Sequence, residues 1–486
     1  LKFKHLTFLG FGLFCLCFYF CIFQEINTDD ETWFLQVVNR VISGEVLYRD
    51  VFFGATPLSV YIAALFAKIF GSELIVMRAV LAIYFVCSII LSCLILKNFK
   101  VSNPFSPLFI ASFFVLAHFQ STWGFSGYNG LAKVFFLASF YYAPRSLKIS
   151  ALFAGLCFCT KQNVGALAFL AVLGTAVVKR DSLKTISHTI GIFTLTIGLC
   201  LLPTVIQGGW ESFINYVVLN KTRYLSAKHC SYFLIPSLWD SYSIFIFAAP
   251  FLLILSLFFA FPRLKKEKDW PILLIFLFAG LLTLYPRPDN IQKSLCIPLI
   301  LISLRFFYSS FSLPIIIQYA LRSWLPIALL FSIGSPWFQK GIRISHIKHF
   351  KYIALDNSLH EHWKTMRQKF SSGEKSCFFL STHCGFYYLL FNLQNPSPFD
   401  YPVHPAFGLH GEKELVSAIE MHAIQKVFIE HEDWSNWKYI SSDQKPYHLE
   451  SYLNKNMEKR DFFMEKIENP IFQVLELKAC DGRCSR

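Results

Sequence analysis

The sequence predicts a membrane all-α protein: a polytopic bundle of about eleven transmembrane helices, with juxtamembrane helices in its first outer loop, followed by a C-terminal soluble α/β domain. Three observations carry that prediction. Of 486 residues, 54% are hydrophobic, 17% aromatic and only 16% charged, more apolar side chain than a water-facing surface accommodates. The apolar residues gather in continuous runs, not in the alternating segments of about 10 residues from which outer-membrane barrels are built. After Gly334 the composition changes to that of a soluble domain of roughly 150 residues.

Taken in order, Lys2 and Lys4 precede an apolar run from Leu6 to Phe23. It is long enough to span and lacks a small-x-small cleavage site, so it reads as a retained first helix. The first outer loop, 24–77, opens with Asp29, Asp30 and Glu31. The stretch WFLQVVNRVISG that follows is amphipathic at helical spacing, with Trp33, Val37, Val38 and Val41 on or near one face. The carboxylates then cap the N-terminus of a helix lying along the interface. Pro57 to Phe70, interrupted by Lys68, has the length of an interfacial or re-entrant helix. Runs at 79–96, 105–120, 130–143, 149–160, 164–178, 186–206, 241–261, 270–285, 294–309 and 313–333 read as further spans. Several are shorter than the roughly 20 residues a perpendicular crossing needs, which calls for burial within the bundle.

The 45 Lys+Arg against 31 Asp+Glu give a net charge of +14. If Pro57–Phe70 does not cross, Lys97/Lys100, Arg145/Lys148, Lys179/Arg180/Lys184 and Arg263/Lys265/Lys266/Lys268 all fall on the side of Lys2 and Lys4, as the positive-inside rule requires. That arrangement puts the N-terminus in the cytoplasm of an inner (plasma) membrane. Segments 24–77, 121–129, 207–240, 286–293 and 334–486 then lie outside. The domain division is 1–333 for the membrane module and 334–486 for an extracytoplasmic α/β domain. The expected partners are membrane lipids, with no nucleic acid. In the tail, KSCFFLST and QKVFIEHED read as buried strands, GEKELVSAIEMHA as an amphipathic helix, and RDFFMEKIENPIFQVLELKA as a closing strand pair. NLQNPSPFDYPVHPAFGLHG reads as Pro- and Gly-rich loop. Most of the 14 cysteines fall inside apolar runs and behave as small hydrophobes; Cys377, Cys384, Cys480 and Cys484, in the polar tail, are candidates for a bridge.

The candidate chemistry lies at the outer face. Asp30 and Glu31 are either a solvated acidic patch or, held at a lipid boundary where desolvation raises basicity, a general base. Asp50 beside Arg49 is a second outer carboxylate or half of a surface ion pair. Lys161 in TKQNVG lies between two short apolar runs and either snorkels to the surface or faces a wet cavity. With Gln162 and Asn163 it offers donors suited to a phosphate. Arg287, Asp289 and Lys293 in YPRPDNIQK sit on a backbone stiffened by two prolines, and Arg223 has Lys221 and Lys228 nearby. Cations and carboxylates converging on one face of an apolar bundle suit transfer chemistry on a lipid-linked phosphate.

This pattern resembles the GT-C class of polytopic glycosyltransferases, in the branch with protein O-mannosyltransferases, the lipid A aminoarabinose transferase and lipopolysaccharide-core sugar transferases. The resemblance is carried by DDETWFLQVVNRVISGEVLYRDVFFGATPLSVYIAALFAKIFG, YNGLAKVFFLASF, TKQNVGALAFLA, YPRPDNIQK and a tail like FYYLLFNLQNPSPFDY. It implies an inverting transferase that moves a sugar from a polyprenyl-phosphate donor to a lipid, glycan or protein acceptor. The family's Asp-Glu pair maps to Asp30 and Glu31, with Asp30 as base; Lys161, Arg223 and Arg287 stabilise the departing phosphate. The sequence departs from the family twice: GATPL has one proline where relatives often have two, and the Arg-x-Asp-x-x-His pattern ends in Gln292. Some enzymes of the class use a divalent metal, but no His/Asp/Glu spacing here establishes one. The alternative is a transporter or flippase of a lipid-linked saccharide, which would favour mid-bilayer ionisable groups and internal repeats over charges at one face.

Overall fold

A computed structural model describes residues 3–23, 26–120, 127–219, 251, 253–255, 258, 261, 269–284, 296–310, 342–370, 376–402, 404–421, 423–430, 448–462 and 472–477. The helices in the first part of the chain are α1 (Phe3–Ile22), α2 (Asp30–Ile42), α3 (Leu58–Phe70), α4 (Leu74–Asn98), α5 (Pro107–Gln120), α6 (Gly127–Tyr142), α7 (Leu147–Phe158), α8 (Gln162–Lys179), α9 (Leu183–Ile206) and the short α10 (Trp210–Phe213). A π-helical turn, Ile214–Leu219, follows α10, and α11 (Trp270–Leu282) and α12 (Ile297–Ser310) come later. The apolar runs expected at 79–96, 105–120, 130–143, 149–160, 164–178 and 186–206 each form a helix.

The expectation of about eleven transmembrane helices does not hold. Among the described residues, three helices are long and apolar enough to cross a membrane: α4 with 25 residues, α8 with 18 and α9 with 24. Shorter apolar helical stretches are Thr7–Ile22 in α1, α3, α7, α11 and Ile297–Phe306 in α12. At 1.5 Å per residue, a helix as long as α7 reaches only about 18 Å of a ~30 Å hydrocarbon core. Hydropathy counts apolar residues, whereas helix length is set by where the backbone is stopped. Ser146 accepts from the N–H of Ile149 to start α7, and three residues after its end, Lys161 already caps α8. The run 313–333 and most of 241–261 lie outside the described residues, as does the expected boundary at 333/334.

Small residues let these helices approach closely, which matters where lipid gives little hydrophobic drive for association. Ala151, Ala154, Ala168 and Ala171 are buried between α6, α7 and α8. A Cβ at Gly165 would stand 2.0 Å from the backbone nitrogen of Phe158, so only glycine permits this return of α8 along α7. The basic turns gather at one end: Lys179 Nζ donates to the carbonyls of Ala143 and Pro144, Arg145 to Asn98 Oδ1, and Arg305 to the carbonyl of Ser102.

The opposite end carries the first loop and the C-terminal region. β1 (Ile342–Ile344) and β2 (Ala354–Asp356) form an antiparallel pair leading into α13 (Asn357–Phe370). Then come β3 (Cys377–Leu380), α14 (Cys384–Phe391), α15 (His404–Glu420), β4 (Lys426–Glu430), α16 (His448–Asn456), β5 (Met457–Phe462) and β6 (Phe472–Leu477). The sheet order is β3-β4-β6-β5, with β3 and β4 parallel and the other pairs antiparallel. β3, β4 and β6 fall within the predicted strand segments, β5 starts three residues before the predicted closing pair, and β1 and β2 form where no strand is predicted. The predicted loop before GEKELVSAIEMHA is partly helical, since α15 starts at His404. Cys377 and Cys384 are buried free thiols; Cys480 and Cys484 lie outside the described residues.

One hydrophobic cluster runs from Trp33, Val37, Phe52 and Phe53 of the first loop to Phe350, Trp363, Tyr388 and Phe428 of the C-terminal region. Backbone bonds sew the two together: Phe52 N donates to Pro398 O at 2.8 Å and Leu74 N to His349 O at 2.8 Å. Consequently α2 does not lie open along the interface as its amphipathic pattern predicts. Residues from Glu31 to Val38 are all buried, covered on one side by the bundle and on the other by α14.

Candidate functional site

The acidic turn is built by a side-chain cap. Asn27 Oδ1 accepts from the backbone N–H groups of Asp29 and Asp30, at 3.0 and 2.9 Å, satisfying donors that a helix start leaves orphaned. The three carboxylates then occupy the positive end of the helix. Their surroundings differ. Glu31 is sealed and meets Arg78 of α4 in a bidentate pair, Nε to Oε1 at 2.7 Å and Nη2 to Oε2 at 2.8 Å. Arg78 Nη1 also donates to the carbonyl of Cys21 at the end of α1. Asp30, the first residue of α2, is half-buried, and Asp29 Oδ1 lies 2.9 Å from Nε2 of His383 in the C-terminal region.

Lys161 is buried, its Nζ 2.5 Å from Asn129 Oδ1 and 5.6 Å from the centre of the Tyr128 ring. Tyr128 packs edge-on against Phe53, which stacks on Trp33, one turn along α2 from the acids. An aromatic layer thus links the acidic turn to the buried cation. Gln162 Nε2 donates to Val217 O at 3.5 Å, tying α8 to the π-helical turn. Thr56 Oγ1 donates to Phe158 O at 2.7 Å and Leu58 N to Cys159 O at 2.9 Å, which fixes the GATPL loop against the turn before Lys161. The indole N–H of Trp33 is buried and makes no hydrogen bond among the described residues, a donor that is costly to leave unpaired.

Asp50 pairs with its neighbour, Arg49 Nε to Oδ1 and Nη2 to Oδ2, both at 2.9 Å, and also accepts from Val46 N. The Arg49 hydrogen bonds, with the Val46 N–H and the charges of Arg49 and Arg40 adding to them, hold its carboxyl below the usual carboxylate range despite partial burial. Arg223, Arg287, Asp289 and Lys293 lie outside the described residues. Among the described residues no three His, Cys, Asp or Glu side chains come together as metal ligands.

Sequence reasoning passed over Arg78, Asn129 and His383. Arg78 had a signal: an arginine flanked by LIVM and the apolar run from 79 needs a buried partner. Asn129, in YNGLA, sits near the start of an apolar helix and gave a weaker one. His383 gave none, because its partner is remote in the chain.

No family model and no curated protein matches the sequence. Solved structures do. ArnT from Cupriavidus metallidurans matches in the apo state with TM-score 0.54 and 10% identity over 97% of this chain and 98% of that one. The same protein bound to undecaprenyl phosphate matches with TM-score 0.53 and 11% identity. The archaeal oligosaccharyltransferase AglB from Archaeoglobus fulgidus, in complex with an inhibitory peptide and a dolichol-phosphate, matches with TM-score 0.50 and 10% identity over 94% of this chain and 73% of that one. The mycobacterial arabinofuranosyltransferase AftD gives TM-score 0.48 and 11% identity, and this chain spans only 40% of its length. At such identities the likeness is one of fold alone, and along nearly the whole chain that fold is shared with ArnT.

Proposed function

We propose that this protein is an inner-membrane glycosyltransferase that moves a sugar, with inversion, from a polyprenyl-phosphate donor to a lipid, glycan or protein acceptor at the extracytoplasmic face. Residues 1–333 form the catalytic module and 334–486 the outer domain. The observation that carries this reading is the acidic turn of α2, locked by Arg78 on the end of the bundle that also buries Lys161, in a fold shared end to end with ArnT. The undecaprenyl phosphate bound to ArnT and the dolichol-phosphate on AglB support the donor class.

In this reading Asp30 takes the proton of an acceptor hydroxyl or amine as the new bond forms at the anomeric carbon and the bond to the phosphate oxygen breaks. The phosphate leaves on the prenyl chain. Lys161 and Gln162, with Arg223, Arg287 and Lys293, stabilise the departing charge in surroundings where fixed cations act strongly. Asp50 and Asp289 contribute to substrate binding. Glu31 acts through Arg78, anchoring the helix that carries the base.

The test replaces Asp30 by Asn in cells otherwise lacking the gene, and compares envelope glycolipids and glycoproteins by mass spectrometry. Loss of one sugar without the gene, and failure of Asp30→Asn to restore it by a factor of about 100 or more, is the expected result. Restoration by a stably inserted Asp30→Asn protein would remove the proposed base.

A further inference from the structure

His383 stands at the N-terminus of α14, and its Nε2 is 2.9 Å from Asp29 Oδ1 at the start of α2. Both side chains are part exposed, 30% and 43%, so attraction alone would hardly bring them together. The packing beneath does so. Cys384 is sealed, and a Cβ on Gly385 would stand 2.8 Å from the Cα of Trp33, so α14 lies directly against α2. Ser381 Oγ accepts from the backbone N–H of His383 at 2.8 Å, and the carbonyl of His383 accepts from Tyr387 N at 3.1 Å. The imidazole is therefore placed over the acidic turn by a backbone that is itself held.

Three consecutive carboxylates repel one another. Arg78 neutralises Glu31 from the bundle side, which leaves Asp29 and Asp30 adjacent in the first turn. The contact with His383 restrains the backbone from which Asp30 projects, and a protonated imidazole there reduces the repulsion between Asp29 and Asp30. Apolar packing of α14 on α2 would be enough to attach an outer domain. A basic side chain set on the carboxylate next to Asp30 goes beyond attachment.

We propose that His383 is a positioning residue of the transfer site: by engaging Asp29 it holds the first turn of α2 so that Asp30 meets the acceptor, which makes the outer domain part of the catalytic centre. The proposal rests on the glycosyltransferase reading above.

The test uses full-length protein carrying His383→Ala, His383→Gln, Asp29→Asn, or His383→Ala with Asp29→Asn. Each variant is returned to cells lacking the gene for glycan mass spectrometry. Each is also purified into nanodiscs for undecaprenyl phosphate binding and for hydrogen exchange of residues 27–35. His383→Ala is expected to lower the sugar-bearing product about tenfold, with undecaprenyl phosphate affinity held within about twofold. His383→Gln, which keeps a donor of similar reach, recovers most of the product. The double variant is no worse than the poorer single one, the signature of residues acting through one contact. Exchange at 27–35 accelerates in His383→Ala and slows again in His383→Gln. Wild-type product from His383→Ala, effects that multiply in the double variant, or exchange that does not change would each overturn the role of His383. Failure of the wild-type protein to bind undecaprenyl phosphate would instead overturn the reading beneath it.

Discussion

At the N-terminal end of α2, Glu31 meets Arg78 with side chains 1% and 0% exposed, whereas at the C-terminal end Arg40 reaches a sealed Asp400 and a part-exposed Glu45. The first pair ties the helix down to α4 in the bundle. The second ties it to the C-terminal region, where Arg40 also donates to the carbonyl of Ser397, and to the first loop through the carbonyl of Asp50. One end is a sealed pair, its arginine also on the carbonyl of Cys21, and the other a hub with a wet edge. A buried pair of this kind contributes little net stability when intact, but loss of one member strands the other charge away from water. α2 is thus a strut pinned at both ends, and its acidic turn stays in place because moving it would expose or orphan an ion.

The comparison breaks most visibly at the sealed end. Arg78→Met should destabilise the detergent-solubilised protein by about 3–5 kcal/mol, and pairing it with Glu31→Leu should recover most of that loss. Heating followed by size-exclusion recovery measures both, and a double variant as poor as the single one would mean that packing, not charge, holds this end. Arg40→Met should cost somewhat less, about 3 kcal/mol, because water can reach Glu45 though not Asp400. Equal losses at the two ends would erase the distinction between closed pair and hub. Gly385→Ala should cost about 1–3 kcal/mol by pushing α14 off Trp33, with the C-terminal region becoming more sensitive to limited proteolysis.

Asp50→Asn should have the smallest effect. Its carboxyl is held below the ordinary range by Arg49, so whatever it contributes is present above the unfolded value of about 4 and lost as pH falls through the lower folded value. Wild type and variant should converge in stability on acidification. A difference that persists at low pH would place the contribution elsewhere.

Much of this architecture was legible from residue order. The strands Cys377–Leu380 and Lys426–Glu430 and the closing pair are local signals, each a short apolar run bounded by polar residues. The apolar runs on either side of Lys161 left it either snorkelling to the surface or facing a wet cavity, and the structure buries it. The number of crossings was not legible. A run such as 149–160 is equally apolar whether its helix spans the bilayer or turns back inside the bundle, as α7 does before Lys161. The role of Glu31 was not legible either, since a carboxylate beside a membrane looks alike whether it awaits a proton or is already clamped by an arginine.

By itself the sequence determined most of the apolar helical runs and the strands β3, β4 and β6, which loops are basic and which acidic, and that carboxylates cluster in the first loop. These depend on neighbours within a few residues and on the free energy of apolar side chains in lipid. Only the tertiary structure decided that Glu31 is committed to Arg78, that Lys161 rests on Asn129 under an aromatic layer, and that His383 reaches Asp29. Such pairings depend on which distant segments fold against each other, and a side chain's chemistry is settled by the partner it meets there.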